Sequence, residues 1–104
     1  MTVPDIFTVL ANPVRRRILV LLLDRPSTVN ALVDEFQLQR PAVSEHLQLL
    51  RNAKLVRDEK RGRERFYHIE PLRLAEVYDW LKPFEQYWRK RMQALNDILN
   101  EEKP

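Results

Sequence analysis

The sequence predicts a mainly α chain carrying one small β-hairpin, and three observations predict it. Apolar residues recur at helical spacing along most of the chain. One run, Leu55 to Glu70, alternates instead in the manner of strands. The only glycine in 104 residues, Gly62, falls inside that run, and one Gly with seven Pro disfavours a turn-rich all-β fold. The length corresponds to one domain, residues 1–104. Apolar residues make up 44% of it, with two Trp, three Tyr and four Phe, a generous stock for one small core that points to a partner surface. The absence of Cys excludes a disulfide frame and thiolate metal sites. With no leading apolar run and no stretch near 18 apolar residues, a soluble cytoplasmic protein with no membrane partner is expected.

The elements follow in order. Ile6, Phe7 and Leu10 form one apolar edge of a short helix starting near Pro4. Asn12-Pro13 restarts a helix, because Asn is a favoured N-cap and Pro fits the first helical position. Its apolar face is Val14, Ile18, Leu21 and Leu22, with Arg15, Arg16 and Arg17 on and beside the opposite face, and Pro26 ends it. Ser27 or Thr28 caps the next helix, whose stripe is Val29, Leu32, Val33 and Phe36. Ala31 stands where a full capping box has Glu. A four-residue turn, Gln37 to Arg40, leads to a helix opened by Pro41 and reaching Asn52, with Val43, Leu47 and Leu50 inward and no good side-chain cap. Two strands then flank Gly62, which supplies the positive φ of a tight hairpin, with Tyr67 and Ile69 on one face and Phe66 and His68 on the other. From Pro71 a long helix carries Val77, Leu81, Phe84, Trp88, Met92, Leu95 and Leu99, a near-heptad seam widened by Tyr78, Trp80, Tyr87 and Ile98. Pro83 is expected to kink or break it, and Asn100 to Pro104 to fray.

Charge sits unevenly along these elements. Residues 40–65 hold eight basic and four acidic side chains, while the flanking thirds are close to neutral, so the middle quarter owns the whole net charge of +3. Helix, short turn, helix and basic-tipped hairpin is the order of a winged helix-turn-helix, which lays its second helix in the DNA major groove. The outer face of that helix carries Arg40, Ser44, Glu45, Gln48 and Arg51, preceded by Gln39. Gln suits adenine, Arg suits guanine and Ser is permissive. Glu45 repels phosphate; it either accepts from a cytosine amino group or pairs with a nearby Arg. The hairpin residues Lys60, Arg61, Arg63 and Arg65 are candidate phosphate or minor-groove contacts.

The stretches LANPVRRRIL, RPAVSEHLQLLRNAKLV and KRGRERFYHIEP together resemble the ArsR family of winged-helix bacterial repressors over residues 6–71. RPAVSEHL and the aromatic-rich last helix are similar to its metal-independent autorepressor branch. The resemblance implies a homodimer joined through the first and last helices, repressing transcription from an inverted-repeat operator. It divides the chain into a DNA-binding core, 12–70, and dimerisation helices, 1–11 and 71–99. The implied dimer residues are Ile6, Phe7, Leu10, Val77, Leu81, Phe84, Trp88, Met92, Leu95 and Leu99. The recognition helix is Pro41 to Asn52 and the wing tip Arg61 to Arg63.

The family's metal-sensing positions fall near Thr28 and Asn30, neither a soft-metal ligand, and the last helix has no His. Only His46 and His68 exist, too few for a structural metal site, so neither metal nor cofactor is expected; His46 is expected to be a half-buried packing or hydrogen-bonding residue. The cluster of Trp80, Phe84, Tyr87 and Trp88 around Pro83 reads as dimer core, with a small-molecule pocket as the alternative, and the sequence names no effector. An enzyme finds no support: Ser44, Glu45 and His46 are adjacent on a helix and diverge. RNA is disfavoured because the aromatics do not interleave with the basic strip. The competing class is a winged-helix interaction module docking an acidic protein on the same strip.

Overall fold

The computed structural model describes residues 3–101. Helix α1 (Ile6–Leu10) is followed by α2 (Pro13–Asp24), strand β1 (Ser27–Thr28), α3 (Val29–Glu35), α4 (Arg40–Asn52), β2 (Val56–Arg61), β3 (Glu64–Ile69), a 3₁₀ turn (Leu72–Leu74) and α5 (Ala75–Glu101). Local chemistry starts the helices. Asp5 Oδ2 accepts from the Thr8 amide at 3.1 Å. Asn12 Oδ1 accepts from the amides of Val14 and Arg15 at 2.8 and 3.2 Å, with Pro13 at the first position. Thr28 Oγ1, rather than Ser27, accepts from the Ala31 amide at 3.1 Å. Gln39 heads α4 without a side-chain bond, as the sequence indicates. The connection from α3 to α4 is Phe36–Gln39, one residue earlier than predicted.

The end of α4 is closed by backbone. The Leu55 amide donates to the Leu50 carbonyl at 3.0 Å and the Lys54 amide to the Arg51 carbonyl at 3.0 Å. This is the Schellman pattern, with Lys54 in the left-handed position at φ 64°. Val43, Leu47, Leu50 and Leu55, all fully buried, lie with Ile18, Leu22 and Leu32 in one core that α1 closes with Ile6 and Val9.

The sheet has three strands, not the predicted two, in the order β1-β3-β2, all antiparallel. Ser27 pairs with Tyr67 and Thr28 with Phe66. Arg61 pairs with Glu64 across a two-residue loop whose first residue, Gly62, has φ 63°, the type II′ pattern. Tyr67 and Ile69 turn toward the core, as their shared face requires.

Helix α5 runs unbroken through Pro83, so of the expected kink or break the break does not occur. One missing amide at an exposed stretch of the helix leaves a carbonyl that water can satisfy, and Trp80 packs on Phe84 across the Pro with ring centroids 4.9 Å apart. Of the segment expected to fray, Asn100 and Glu101 are helical and 102–104 lie outside the described residues. The helix, about 40 Å long at 1.5 Å per residue, carries the shape out to 65 × 34 × 22 Å. The radius of gyration is 18.9 Å, against about 13 Å for a compact domain of this length.

Candidate nucleic-acid interface

Strand β1 places the start of α3 beside the hairpin, and α4 packs against both α3 and β2. Between them opens a groove of about 670 Å³. Arg40 and Ser44 line it from α4, Asn30 from α3, and Lys60, Arg63, Glu64 and Arg65 from the wing, with Tyr67 at its side. Five of the sequence-predicted contact residues therefore converge on one concave surface: Arg40, Ser44, Lys60, Arg63 and Arg65. Gln39, Glu45, Gln48, Arg51 and Arg61 are exposed but outside its lining. Gln48 Nε2 donates to Asn52 Oδ1 at 3.0 Å along the outer face of α4. Glu45 makes no ion pair among the described residues, so the pairing considered for it is not formed.

The cations divide by partner. Arg51 Nε lies 3.2 Å from Asp58 Oδ1, and Arg65 Nη1 donates to Asp58 Oδ2. Arg57 pairs with Glu70 at 2.7 Å. Arg61 pairs with Glu59 at 3.3 Å and rests over the Phe66 ring. Arg40, Lys60 and Arg63 have no ion-pair partner among the described residues. The hydrogen bond from Arg65, with Arg51 beside it, holds the Asp58 carboxyl below the usual carboxylate range against the opposing effect of burial.

Three positioning arginines escaped the sequence reading. Arg15 Nε donates to the Val9 carbonyl at 2.7 Å, and its Nη1 donates to His46 Nδ1 at 3.3 Å. Arg16 Nη1 donates to the Leu10 carbonyl at 2.7 Å. The arginine run thus satisfies the open C-terminal carbonyls of α1 and ties the middle of α4 to them. Burial and the neighbouring Arg15 charge hold the half-buried His46 below its ordinary range, Glu45 opposing. Arg73 donates to the carbonyls of Ala53 and Pro4, pinning the end of α4 to the N-terminal segment and the start of α5. His68 Nε2 sits 3.1 Å from Glu59 Oε2, out of hydrogen-bond alignment. Among the described residues no three His, Cys, Asp or Glu side chains converge as a metal ion requires, and no helix is long and apolar enough to cross a membrane.

The second face belongs to α5. Leu81, Phe84, Trp88, Met92, Leu95 and Leu99 are all exposed, Trp88 at 64%. Phe7 joins them, 41% exposed, its ring set edge-on to Trp80 at 5.4 Å. Leu10 and Val77 are half-buried against the chain's own core. Ile6, expected on this face, is 1% exposed, so it offers nothing to a partner. The single chain exposes 8200 Å², where about 6,200 Å² is usual for a folded monomer of this mass.

Residues 12–58 match the family model described as "Bacterial regulatory protein, arsR family". The HTH-type transcriptional regulator Rv2034 of Mycobacterium tuberculosis is 32% identical over 93 residues, spanning 89% of this chain and 84% of that protein. The transcriptional repressor SdpR of Bacillus subtilis is 28% identical over 80 residues, 77% of this chain and 89% of that one. Among solved structures, the homodimeric winged helix-turn-helix DNA-binding domain of Mb0332 from Mycobacterium bovis superposes with a TM-score of 0.62 at 25% identity. That match covers 76% of this chain and 73% of the other.

Proposed function

The chain belongs to the arsR family of bacterial regulatory proteins, a class of transcriptional regulators rather than enzymes, and from that premise we propose that it is a cytoplasmic, homodimeric repressor of an inverted-repeat operator. One observation carries the reading. The groove between α4 and the wing presents Arg40, Lys60 and Arg63, three cations without ion-pair partners among the described residues, beside the hydroxyl of Ser44. Phosphate contacts from such cations fix register, while polar side chains on the outer face of α4 read base edges. Ser44, Gln48 and Gln39 serve the second task in this reading; Arg40, Lys60 and Arg63 serve the first. The uncovered stripe of α5, continued by Phe7, supports a second copy as its cover, with Trp88 as the central aromatic anchor. A two-fold axis there sets two α4 helices about 34 Å apart, one DNA turn. Repression is the role named for the related SdpR, and the Mb0332 domain is named homodimeric.

Selection of bound duplexes from a random pool tests the reading, with light scattering on the same sample. An enriched inverted repeat and a mass of two chains are the expected results. A monomer, or a pool that stays random at low salt, overturns it, and retention of an acidic protein in place of duplex favours the interaction-module alternative.

A further inference from the structure

We propose that Asp58 governs how much of the wing's positive charge a duplex can use, and thereby how well the protein discriminates its site from other DNA. This inference rests on the DNA-binding reading above and deepens it. Asp58 is a lone carboxylate between two guanidiniums from different elements. Its Oδ1 lies 3.2 Å from Arg51 Nε at the end of α4, and its Oδ2 accepts from Arg65 Nη1 on β3. The Asp58 side chain is 7% exposed, whereas both arginines are about half exposed. A carboxylate so placed cannot turn away to water, but either guanidinium can leave it for a competing anion.

The register of the sheet puts Asp58 on the same face as groove-lining residues, although Asp58 itself lies just outside the groove, with Arg51. Asp58 stands opposite Tyr67, and Lys60 opposite Arg65, on one face. Lys60, Arg65 and Tyr67 all line the groove. A phosphate that reaches Arg65 must therefore displace it from Asp58 and approach that charge, while Lys60 and Arg63, though Glu64 lines the same groove, are held in no ion pair among the described residues. Two consequences follow. A random duplex, which offers only phosphate, gains little from Arg51 and Arg65. A site that seats α4 in full register can draw the guanidiniums into place, because Asp58 has already set their direction relative to the helix. The carboxylate lowers affinity for all DNA but lowers it least for the right DNA, a repulsive element of the sort that specificity requires.

Asp58→Asn keeps the size of the side chain and removes its charge. Binding is read by fluorescence anisotropy on a random duplex and on a duplex selected from a pool, across a range of NaCl concentrations, with a thermal melt confirming the fold. The variant is expected to bind random duplex roughly tenfold more tightly at 50 mM NaCl, the effect of neutralising about one more phosphate. Its plot of log affinity against log salt should steepen by about 0.9 for each additional phosphate neutralised, and its preference for the selected duplex should fall. A folded variant with unchanged or weaker random binding and an unchanged slope overturns the proposal. A second comparison decides the matter even without a melting transition for that variant. Lys60→Gln, which removes an unopposed cation from each chain of the dimer, should flatten the salt slope by about 1.8, and Arg51→Gln by less than half as much. Equal flattening means that Asp58 does not hold Arg51 back. Wild-type protein that binds no duplex at low salt removes the DNA reading itself, a failure distinct from the other two.

Discussion

Lys54 occupies a backbone position that suits glycine, and replacing it tests the account of how α4 ends. Its φ is 64°, it follows the last helical turn, and its amide bonds to the Arg51 carbonyl at 3.0 Å. A side chain with a Cβ costs about 1–2 kcal/mol in left-handed backbone. Glycine removes that cost but brings a looser unfolded chain, worth about 0.4–1 kcal/mol in the other direction. Lys54→Gly is therefore expected to stabilise the protein by about 0.5–1 kcal/mol net. For a chain of this size that raises Tm by roughly 2–8 °C. The assay is a thermal and urea melt of wild type, Lys54→Gly and Lys54→Ala at one protein concentration, because a dimer's Tm depends on concentration. Lys54→Ala keeps the Cβ and loses the ammonium, so it should melt close to wild type. If Lys54→Gly melts no higher than Lys54→Ala, the strain assigned to this residue is absent and the Schellman reading of the α4 terminus fails.

Two further outcomes test the frame around the groove. Asn12→Ala removes the acceptor for the Val14 and Arg15 amides and should cost about 1 kcal/mol in a urea melt; an unchanged midpoint removes the cap from the account. His46 has a lowered folded-state pKa from burial and Arg15, so the unfolded chain takes up its proton first as pH falls. Its contribution is complete above the ordinary histidine pKa of about 6.5 and is lost as pH drops through the lower folded value. His46→Gln should flatten the melting temperature over this window, and an acid limb identical to wild type shows that His46 is not the titrating group.

Helix positions were legible because their signals are local. Asn12-Pro13, Thr28, Pro41 and Gly62 each act within a few residues of themselves, and each stands where the structure starts a helix or turns a hairpin. What escaped depends on neighbours distant in sequence. Strand β1 is two residues long, too short for any alternation to register, and exists because Ser27 and Thr28 meet β3. Asn30, which joins the groove, was unreadable for the same reason. Arg15 and Arg16 look like a solvated face until α1 folds back and presents its open carbonyls. Ile6 and Phe7 are adjacent on a five-residue helix, and only the tertiary packing decides that the first enters the core and the second faces out.

Charge shows the difference between counting and placing most sharply. The sequence offers eight cations between residues 40 and 65, and if every one met phosphate a dimer would have a salt slope of about −14. The fold commits Arg51, Arg57, Arg61 and Arg65 to Asp58, Glu70, Glu59 and again Asp58. Lys54 lies outside the groove lining, in a second depression shared with Arg51, Arg57 and Asp58. Arg40, Lys60 and Arg63 remain in the groove, so a dimer on random duplex should show a slope of about −5. That value is measurable by anisotropy titration between about 50 and 200 mM NaCl. A slope near −14 would mean that the intrachain ion pairs open freely to any polyanion, and the division of the wing into held and free cations would then be lost.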